Sequence, residues 1–387
     1  MRVDGGTGSH AGRLRETALL FLKLGTIGFG GPAAHIAMME HEVVRLRQWL
    51  SREEFLDLLG ATNLIPGPNS TEMAIHIGHR HAGWPGLFVA GTCFIVPAAC
   101  ITLLFAWAYV RYAMLPQASA ILYGIKPVIL VIVAQALWTL GRTALRTPAI
   151  TAVAIAAMAL NALGLNEILV LLFAGILTLS VSLASGNRQL RSLVALGGLA
   201  AQTTGVSVLA SPFSLGGLFL FFLKTGSVLY GSGYVLLAFL RADLVERLGW
   251  LTHAQLLDAV AVGQFTPGPV FTTATFIGYV LGGLPGALVA TIGIFAPAFL
   301  FVALSGPFVP RMRRSRVAGA LLDGVNAGAL ALMAVVTATL ARSALVDAGA
   351  LGLGLAAAVV LRRYRVNSVW LVLAGGLGGL ALRSLAG

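Results

Sequence analysis

The sequence predicts an all-α polytopic membrane protein whose two homologous halves have inverted topology, with broken or hairpin-like helices inside the membrane. Three observations predict it. Apolar residues make up 58% of the 387 and charged residues 10%, and uncharged runs such as Pro148–Leu163 and Leu284–Ser305 recur to the C-terminus; a spanning helix needs about 20 mostly apolar residues. Short motifs return at an offset near 201. A Pro-Gly-Pro sequence stands twice inside apolar tracts, at matching positions 66–68 and 267–269.

The segments follow in order. Residues 1–15 are polar and glycine-rich, without a cleavable signal pattern, and read as a cytoplasmic N-terminal tail. The first repeat occupies 16–186 and the second 217–387. Phe21-Leu22-Lys23-Leu24-Gly25 matches Phe222-Leu223-Lys224-Thr225-Gly226, Trp49-Leu50-Ser51 matches Trp250-Leu251-Thr252, and Asp57 matches Asp258. Gly83-Trp84-Pro85-Gly86 matches Gly283-Leu284-Pro285-Gly286 with one residue dropped, and Asn166 matches Asn367. Between the repeats, residues 187–216 contain an apolar run, Ser192–Ala210, long enough to serve as a linking transmembrane helix.

One extra span between two copies with equal spans places the copies in opposite orientations. The charge pattern gives an independent indication, because cytoplasmic loops carry the excess of Lys and Arg. With the N-terminus cytoplasmic, the loop at Arg111 has one charge while its counterpart at 311–316 has four. The loop near Asn166 has none while its counterpart has Arg362, Arg363 and Arg365. Whether the first two segments of each half are hairpins or full spans stays open, and the basic loop at 45–52 favours hairpins.

The net charge of +12 does not point to nucleic acid, because the basic residues are scattered through short gaps between apolar runs. Forty-seven glycines suit close helix packing in a bilayer. Cys93 and Cys100 sit seven apart in one apolar run and suggest neither a disulfide nor a metal site. No cofactor is expected. His41-Glu42-Val43-Val44-Arg45 begins like a zinc-protease motif but has Arg where a second His is required, and there is no P-loop, nucleophile elbow or dinucleotide fingerprint. An enzyme is not expected; a passive anion channel could use the same broken helices.

The Phe-Leu-Lys-Leu-Gly…Phe-Gly-Gly-Pro run at 21–32, Trp49-Leu50-Ser51 through Asp57, the tract at 63–72, Tyr-Gly-Ser-Gly at 230–233 and Thr-Pro-Gly-Pro at 266–269 together resemble the chromate ion transporter (CHR) family in its long, two-domain form. The resemblance covers nearly the whole chain from about residue 16. It implies a multi-pass protein of the bacterial inner membrane that exports chromate, confers chromate resistance and is energised by the membrane potential or a proton gradient. Sulfate or another tetrahedral oxyanion is the alternative substrate. The lipid bilayer is the other expected partner, and the oligomeric state, including a homodimer, stays open.

An oxyanion needs hydrogen-bond donors and positive potential, and helix N-termini supply both. Two prolines around a glycine end one helix and start another, and such breaks in membrane helices point to transport sites. The candidate substrate-binding residues are therefore Asn63, Gly67, Asn69, Ser70 and Thr71 around the first break, and Gln264, Thr266, Gly268, Thr272 and Thr273 around the second. Gly30 and Gly31 would let backbone approach the ion, and the family-like run adds Tyr230 and Ser232. Packed kinks without a ligand are the competing reading. Lys23 and Lys224 recur in register inside apolar segments, where they either attract the anion or snorkel to a surface. Lys126 has less symmetry support, its repeat counterpart being read as Gly324 with Asn326 two residues beyond. Glu72, His35 and His76 are candidates for proton coupling; Glu72 also reads as part of a helix-start capping pattern, and the histidines as satisfied buried side chains. Asp57 and Asp258 follow polar helix starts and read as caps or ion-pair partners.

Overall fold

Fourteen principal helices run through the described residues, seven in each half, and they correspond one to one. The structure, a computed structural model, describes residues 9–112, 115–184, 212–230, 235–305, 315–364, 366 and 368–386. The linking run Ser192–Ala210, Ser232 and the arginines at 311–314 lie outside them. In the first half α1 is His10–Ile27, α2 is Gly31–Glu40 prolonged by a π-helical stretch His41–Leu46, and α3 is Arg52–Thr62. They are followed by α4 (Asn69–Tyr112), α5 (Pro116–Ala144), α6 (Pro148–Ala162) and α7 (Glu167–Ala184). The second half repeats the order as α8 (Leu215–Val228), α9 (Leu236–Phe239, prolonged as a π-helix over Leu240–Arg247) and α10 (His253–Phe265). It continues as α11 (Thr273–Ser305, after a 3-10 turn Val270–Thr272), α12 (Arg316–Ala344), α13 (Ala348–Arg363) and α14 (Ser368–Ala386). Helix α1 starts at His10, inside the tail expected over 1–15, because Ser9 accepts the Gly12 amide and caps it.

Helix α4 is a hairpin rather than one rod. Ala82 and Gly83 leave helical geometry, with Gly83 at φ 66°, and turn the chain back on itself. Pro85 sits at the start of the returning arm, where its missing donor costs nothing. Gly78 and Gly86 face each other across the turn so closely that a Cβ on either would strike the other's backbone. Helix α11 turns at Gly282 and Gly283 in the same way, with Gly278 against Gly286. The short first arm of each hairpin begins at a Pro-Gly-Pro break, and the long second arm is a full span by length.

The mouths of these hairpins gather at two opposite ends. In the first half Trp49, at the α2–α3 connection, stacks on His81 at 3.7 Å, and Glu16 of α1 lies 3.6 Å from the same histidine. In the second half Trp250 packs edge-on against Phe213, and Phe213 also bounds the turn at Gly282. The long arms of α4 and α11 run antiparallel: Phe88, just past the first turn, stacks on Phe299, far along the other arm, and Leu87 clusters with Val302. The hairpins of the two halves therefore enter from opposite ends. This is the inverted topology that the loop charges indicated, and it favours hairpins over full spans for α1–α2 and for α3 with the first arm of α4.

Packing is interleaved rather than confined to each half. α1 lies along α4 with Gly25 against the Phe94 carbonyl, and α8 lies along α11 with Gly226 against that of Ile294. α5 packs on α13 and α14 of the other half, with Gly124 against Gly375 and Gly379. Reciprocally, α12 packs on α6 and α7, with Gly324 against Ala174 and Gly175. Glycine contacts of this kind let backbones approach where lipid offers no hydrophobic drive for association.

Among the described residues four helices are long and apolar enough to cross a membrane: Asn69–Tyr112, Pro116–Ala144, Val270–Ser305 and Val317–Ala344. The run Pro148–Leu163 forms a helix of 15 residues, shorter than a complete span, because Thr147-Pro148 starts it and Gly164, at φ 90°, stops it. The helix bounds also correct one register. α5 and α12 correspond at an offset of 200, so Asn326, not Gly324, is the counterpart of Lys126.

Candidate functional site

The four backbone interruptions meet in the middle of the molecule. Each half contributes two: the turn between its first two helices, and its Pro-Gly-Pro break. Gly67 of the first break donates its amide to the Leu229 carbonyl of the opposite turn at 2.8 Å, and Gly268 of the second donates to the Gly28 carbonyl at 2.7 Å. Both glycines lie at positive φ, 137° and 83°, which other residues rarely adopt. The freed backbone groups are thus satisfied by the partner repeat, as non-helical backbone at membrane depth requires.

The first break is bounded by α3 and the first arm of α4. Asn69 donates to Asn63 at 3.0 Å, and Asn63 donates to the Leu59 carbonyl at 3.1 Å, so this pair ties the two helix ends together. Ser70 and Thr71 are buried in the first turn of α4, and Thr71 Oγ1 has no hydrogen-bond partner among the described residues. Glu72 is fully buried, and neither of its oxygens has one. Its Oε1 points at Gly67, where a Cβ would collide with it, and Tyr230 of the opposite turn is near enough to feel its charge. An isolated carboxylate in such a place is costly, so a proton or a cation is the complement this site calls for.

The second break is built from hydroxyls. Thr102, on the long arm of α4, donates to Thr272 at 3.2 Å and lies 3.4 Å from Thr266. Thr266 in turn donates to the Val262 carbonyl, Thr272 to that of Pro269 and Thr273 to that of Val270. Gln264 borders a small cleft with Leu236, Val260 and Thr273. The break opposite Glu72 is therefore neutral and rich in hydroxyls, because Thr273 stands where the first half has Glu72.

The remaining candidates lie near these breaks without all pointing into them. Gly30 and Gly31, at φ 107° and 76°, form the turn into α2. His35 Nε2 is 2.9 Å from the Gly28 carbonyl, the same oxygen that accepts from Gly268. A carbonyl only accepts, so that nitrogen carries the hydrogen and the ring braces the turn; Nδ1 has no partner among the described residues. His76 is buried one turn beyond Glu72 on α4, and its Nε2 likewise has no partner there.

The recurring lysines are not free charges. Lys23 donates to Glu42 at 2.6 Å, and Arg47 reaches the other oxygen of Glu42 at 3.3 Å. Lys224 donates to Asp243, which Arg247 also approaches at 2.9 Å. In both cases the acid lies on the returning arm of the lysine's own hairpin and its side chain is nearly buried. As partners of the lysines Glu42 and Asp243 went unread in the sequence, although they recur at the same offset as the lysines. At the mouth of the first half Glu54 completes a capping box on α3, and the Ser51 amide, then Arg80, hold its carboxyl below the usual range. Thr102 was also missed; a single hydroxyl in a long apolar helix carries no spacing signal. Among the described residues no group of three His, Cys, Asp or Glu side chains could hold a metal ion.

Comparison with known proteins agrees with the two-repeat organisation. The family model described as Chromate transporter matches residues 15–179 and again 216–380. The chain is 31% identical over 366 residues to the chromate transport protein of Cupriavidus metallidurans, covering 94% of this chain and 91% of that one. It is 31% identical to the probable chromate transport protein of Synechococcus elongatus, covering 89% of each chain. It is also 31% identical to the chromate transport protein of Pseudomonas aeruginosa, covering 93% and 90%. No solved structure gives a significant match.

Proposed function

The chain belongs to the chromate transporter family, and from that premise we propose that it exports chromate from the bacterial cytoplasm as a secondary transporter and so confers chromate resistance. The observation that carries the reading is the crossing of the two breaks, Gly67 to Leu229 and Gly268 to Gly28, at the centre of two inverted repeats. Secondary transporters place substrate at such repeat interfaces, where discontinuous helices present their N-termini. In this reading the protein lies in the inner membrane with residues 1–15 cytoplasmic, and residues 187–216 cross once between repeats 16–186 and 217–387.

The anion rests against the helix starts at Asn69–Thr71 and Val270–Thr273, with the hydroxyls of Thr102, Thr266 and Thr272 beside it. Helix N-termini, and hydroxyls that turn to the dianion from their present acceptors, hold it by partial charges, which allows release. Lys23 and Lys224 act less directly, since each ammonium is already held by an acid. Glu72 carries a coupling proton, which its burial beside the break supports. The protein performs no chemical conversion of its substrate.

The experiment is chromate uptake into inside-out vesicles, with potential and pH gradients imposed separately and sulfate as competitor. Saturable uptake driven by a gradient and weakly inhibited by sulfate supports the reading. Sulfate uptake that outcompetes chromate would reassign the substrate, and unsaturable flux at channel rates would replace the carrier with a pore.

A further inference from the structure

A second ionisable cluster lies between the mouth of the second half's hairpins and the second break. Lys126 of α5 is 3.1 Å from one oxygen of Asp258 on α10, and Tyr109 of α4 donates to the other at 3.0 Å. The Asp258 side chain is 4% exposed and that of Lys126 20%. Three helices from both halves thus converge on one buried charge pair. Along α10, Thr266 of the break lies about two helical turns beyond Asp258, or roughly 12 Å at 1.5 Å per residue.

Stability does not account for the pair. Apolar residues of similar volume commonly serve a buried site as well as an ion pair does, and charges within membranes concentrate on ion and proton pathways. The cluster is also asymmetric. The counterpart of Asp258 is Asp57, but the counterpart of Lys126 is the neutral Asn326, so the first half alone has a lysine at that register.

We propose that Lys126 and Asp258 form an anion–proton cotransport switch, in which Lys126 leaves Asp258 to receive the substrate dianion and Asp258 takes up a proton. The inference rests on reading the chain as a chromate carrier. One ammonium serves one acid at a time. In the resting arrangement the pair is neutral. With Lys126 drawn to the dianion at the second break, the carboxylate loses its counter-charge and binds a proton from water at the same membrane face, forming an O–H bond. The loaded site then holds one dianion and one added proton, and both are released together as the ion pair re-forms. By linkage, protonation of Asp258 strengthens anion binding by the factor with which the anion favours protonation. Tyr109 holds the carboxylate in place while Lys126 is away.

Lys126 and Tyr109 are the charged or titratable partners of Asp258 among the described residues. On the other elements packed against α10, Arg241 pairs with Glu246, and Arg247 and Lys224 pair with Asp243. Tyr279 of α11, Asp323 and Arg342 of α12 and Arg383 of α14 make no ion pair or hydrogen bond with Asp258 in the described residues.

The test is chromate–chromate exchange in proteoliposomes holding the full chain, with equal pH on both sides, from about pH 7 to 9. The wild type should lose apparent affinity as pH rises, approaching about tenfold per unit where one proton is linked to binding. Asp258→Asn should show the slope of log half-saturation against pH reduced by about one. Lys126→Met and the double variant should be equally flattened, with weaker binding throughout. An unchanged slope in Asp258→Asn, or a flat wild type, would overturn the proposal. So would recovery of the wild-type slope in the double variant, which would make the pair a packing device. If Asp258→Asn does not exchange at all, Tyr109→Phe decides, since both charges remain: its pH profile must move, and an unmoved profile overturns the proposal. Absence of exchange in the wild type would instead refute the carrier reading itself.

Discussion

Gly67 donates its amide to the carbonyl of Leu229 at 2.8 Å, and repeat symmetry reproduces the bond as Gly268 to Gly28 at 2.7 Å. Neither half closes its own break. Each is completed by the other, so the centre of the molecule forms only when the two hairpin systems meet tip to tip. A substrate held there touches both repeats, and small relative movements of the halves change its surroundings.

The two glycines should differ in their tolerance of a side chain. A Cβ at Gly67 meets the end of the flexible Glu72 side chain, which can rotate away, whereas one at Gly268 meets Ala98 and lies 3.1 Å from the Gly25 carbonyl. Gly268→Ala is expected to lower chromate uptake about tenfold or more and Gly67→Ala less, since each also carries left-handed strain of roughly 1–2 kcal/mol. Val at either position should abolish uptake while the protein still inserts. Uptake at matched membrane amounts checks this, and normal transport by both Val variants would leave the breaks with a structural role only.

Single cysteines at Trp84 and Leu284, the equivalent positions just past the two hairpin turns, should react with impermeant reagents from opposite faces of the membrane. The background lacks Cys93 and Cys100. Both positions are more than half exposed. Labelling from the same face would contradict the antiparallel packing of Phe88 on Phe299.

Much of this arrangement was legible because membrane folding leaves coarse marks. The Pro-Gly-Pro breaks, the repeat and the loop arginines each reflect backbone or charge requirements that act locally. What was not legible depends on which helices touch. Nothing in the spacing of Lys23 announces Glu42, because the contact forms only when α2 folds back on α1. The bond between Gly67 and Leu229 joins residues far apart in sequence, and the hydroxyl of Thr102 gains meaning only beside Thr266 and Thr272. Lys126 was set aside because its counterpart was read two residues short, at Gly324; the helix bounds of α5 and α12 restore its register to Asn326.

The lysine pairs predict a rescue. Lys23→Met leaves nearly buried Glu42 with only Arg47 and should cost about 1–3 kcal/mol, between the limits for exposed and buried pairs. Adding Glu42→Gln should recover most of that loss, as should Asp243→Asn in a Lys224→Met background. Thermal unfolding in detergent measures both. Half-saturation for chromate in the paired variants should stay within about threefold of wild type, and a rise beyond tenfold would return the lysines to the anion site.

Glu72→Gln keeps the shape of the buried side chain but cannot gain or lose a proton. Accumulation driven by an imposed pH gradient is expected to fall about tenfold or more, with chromate exchange at equal pH changed by less than about threefold. Equal loss of both activities would make Glu72 a packing residue.

The most direct test of the central claim is to locate the substrate by chromium anomalous scattering from crystals of the chromate-loaded protein. The account predicts one dominant peak between the two breaks, within hydrogen-bond reach of backbone amides at Asn69–Thr71 or Val270–Thr273 and of the threonine hydroxyls. A peak confined to the Lys23–Glu42 or Lys224–Asp243 pairs, or none at the crossing of Gly67 and Gly268, would contradict it.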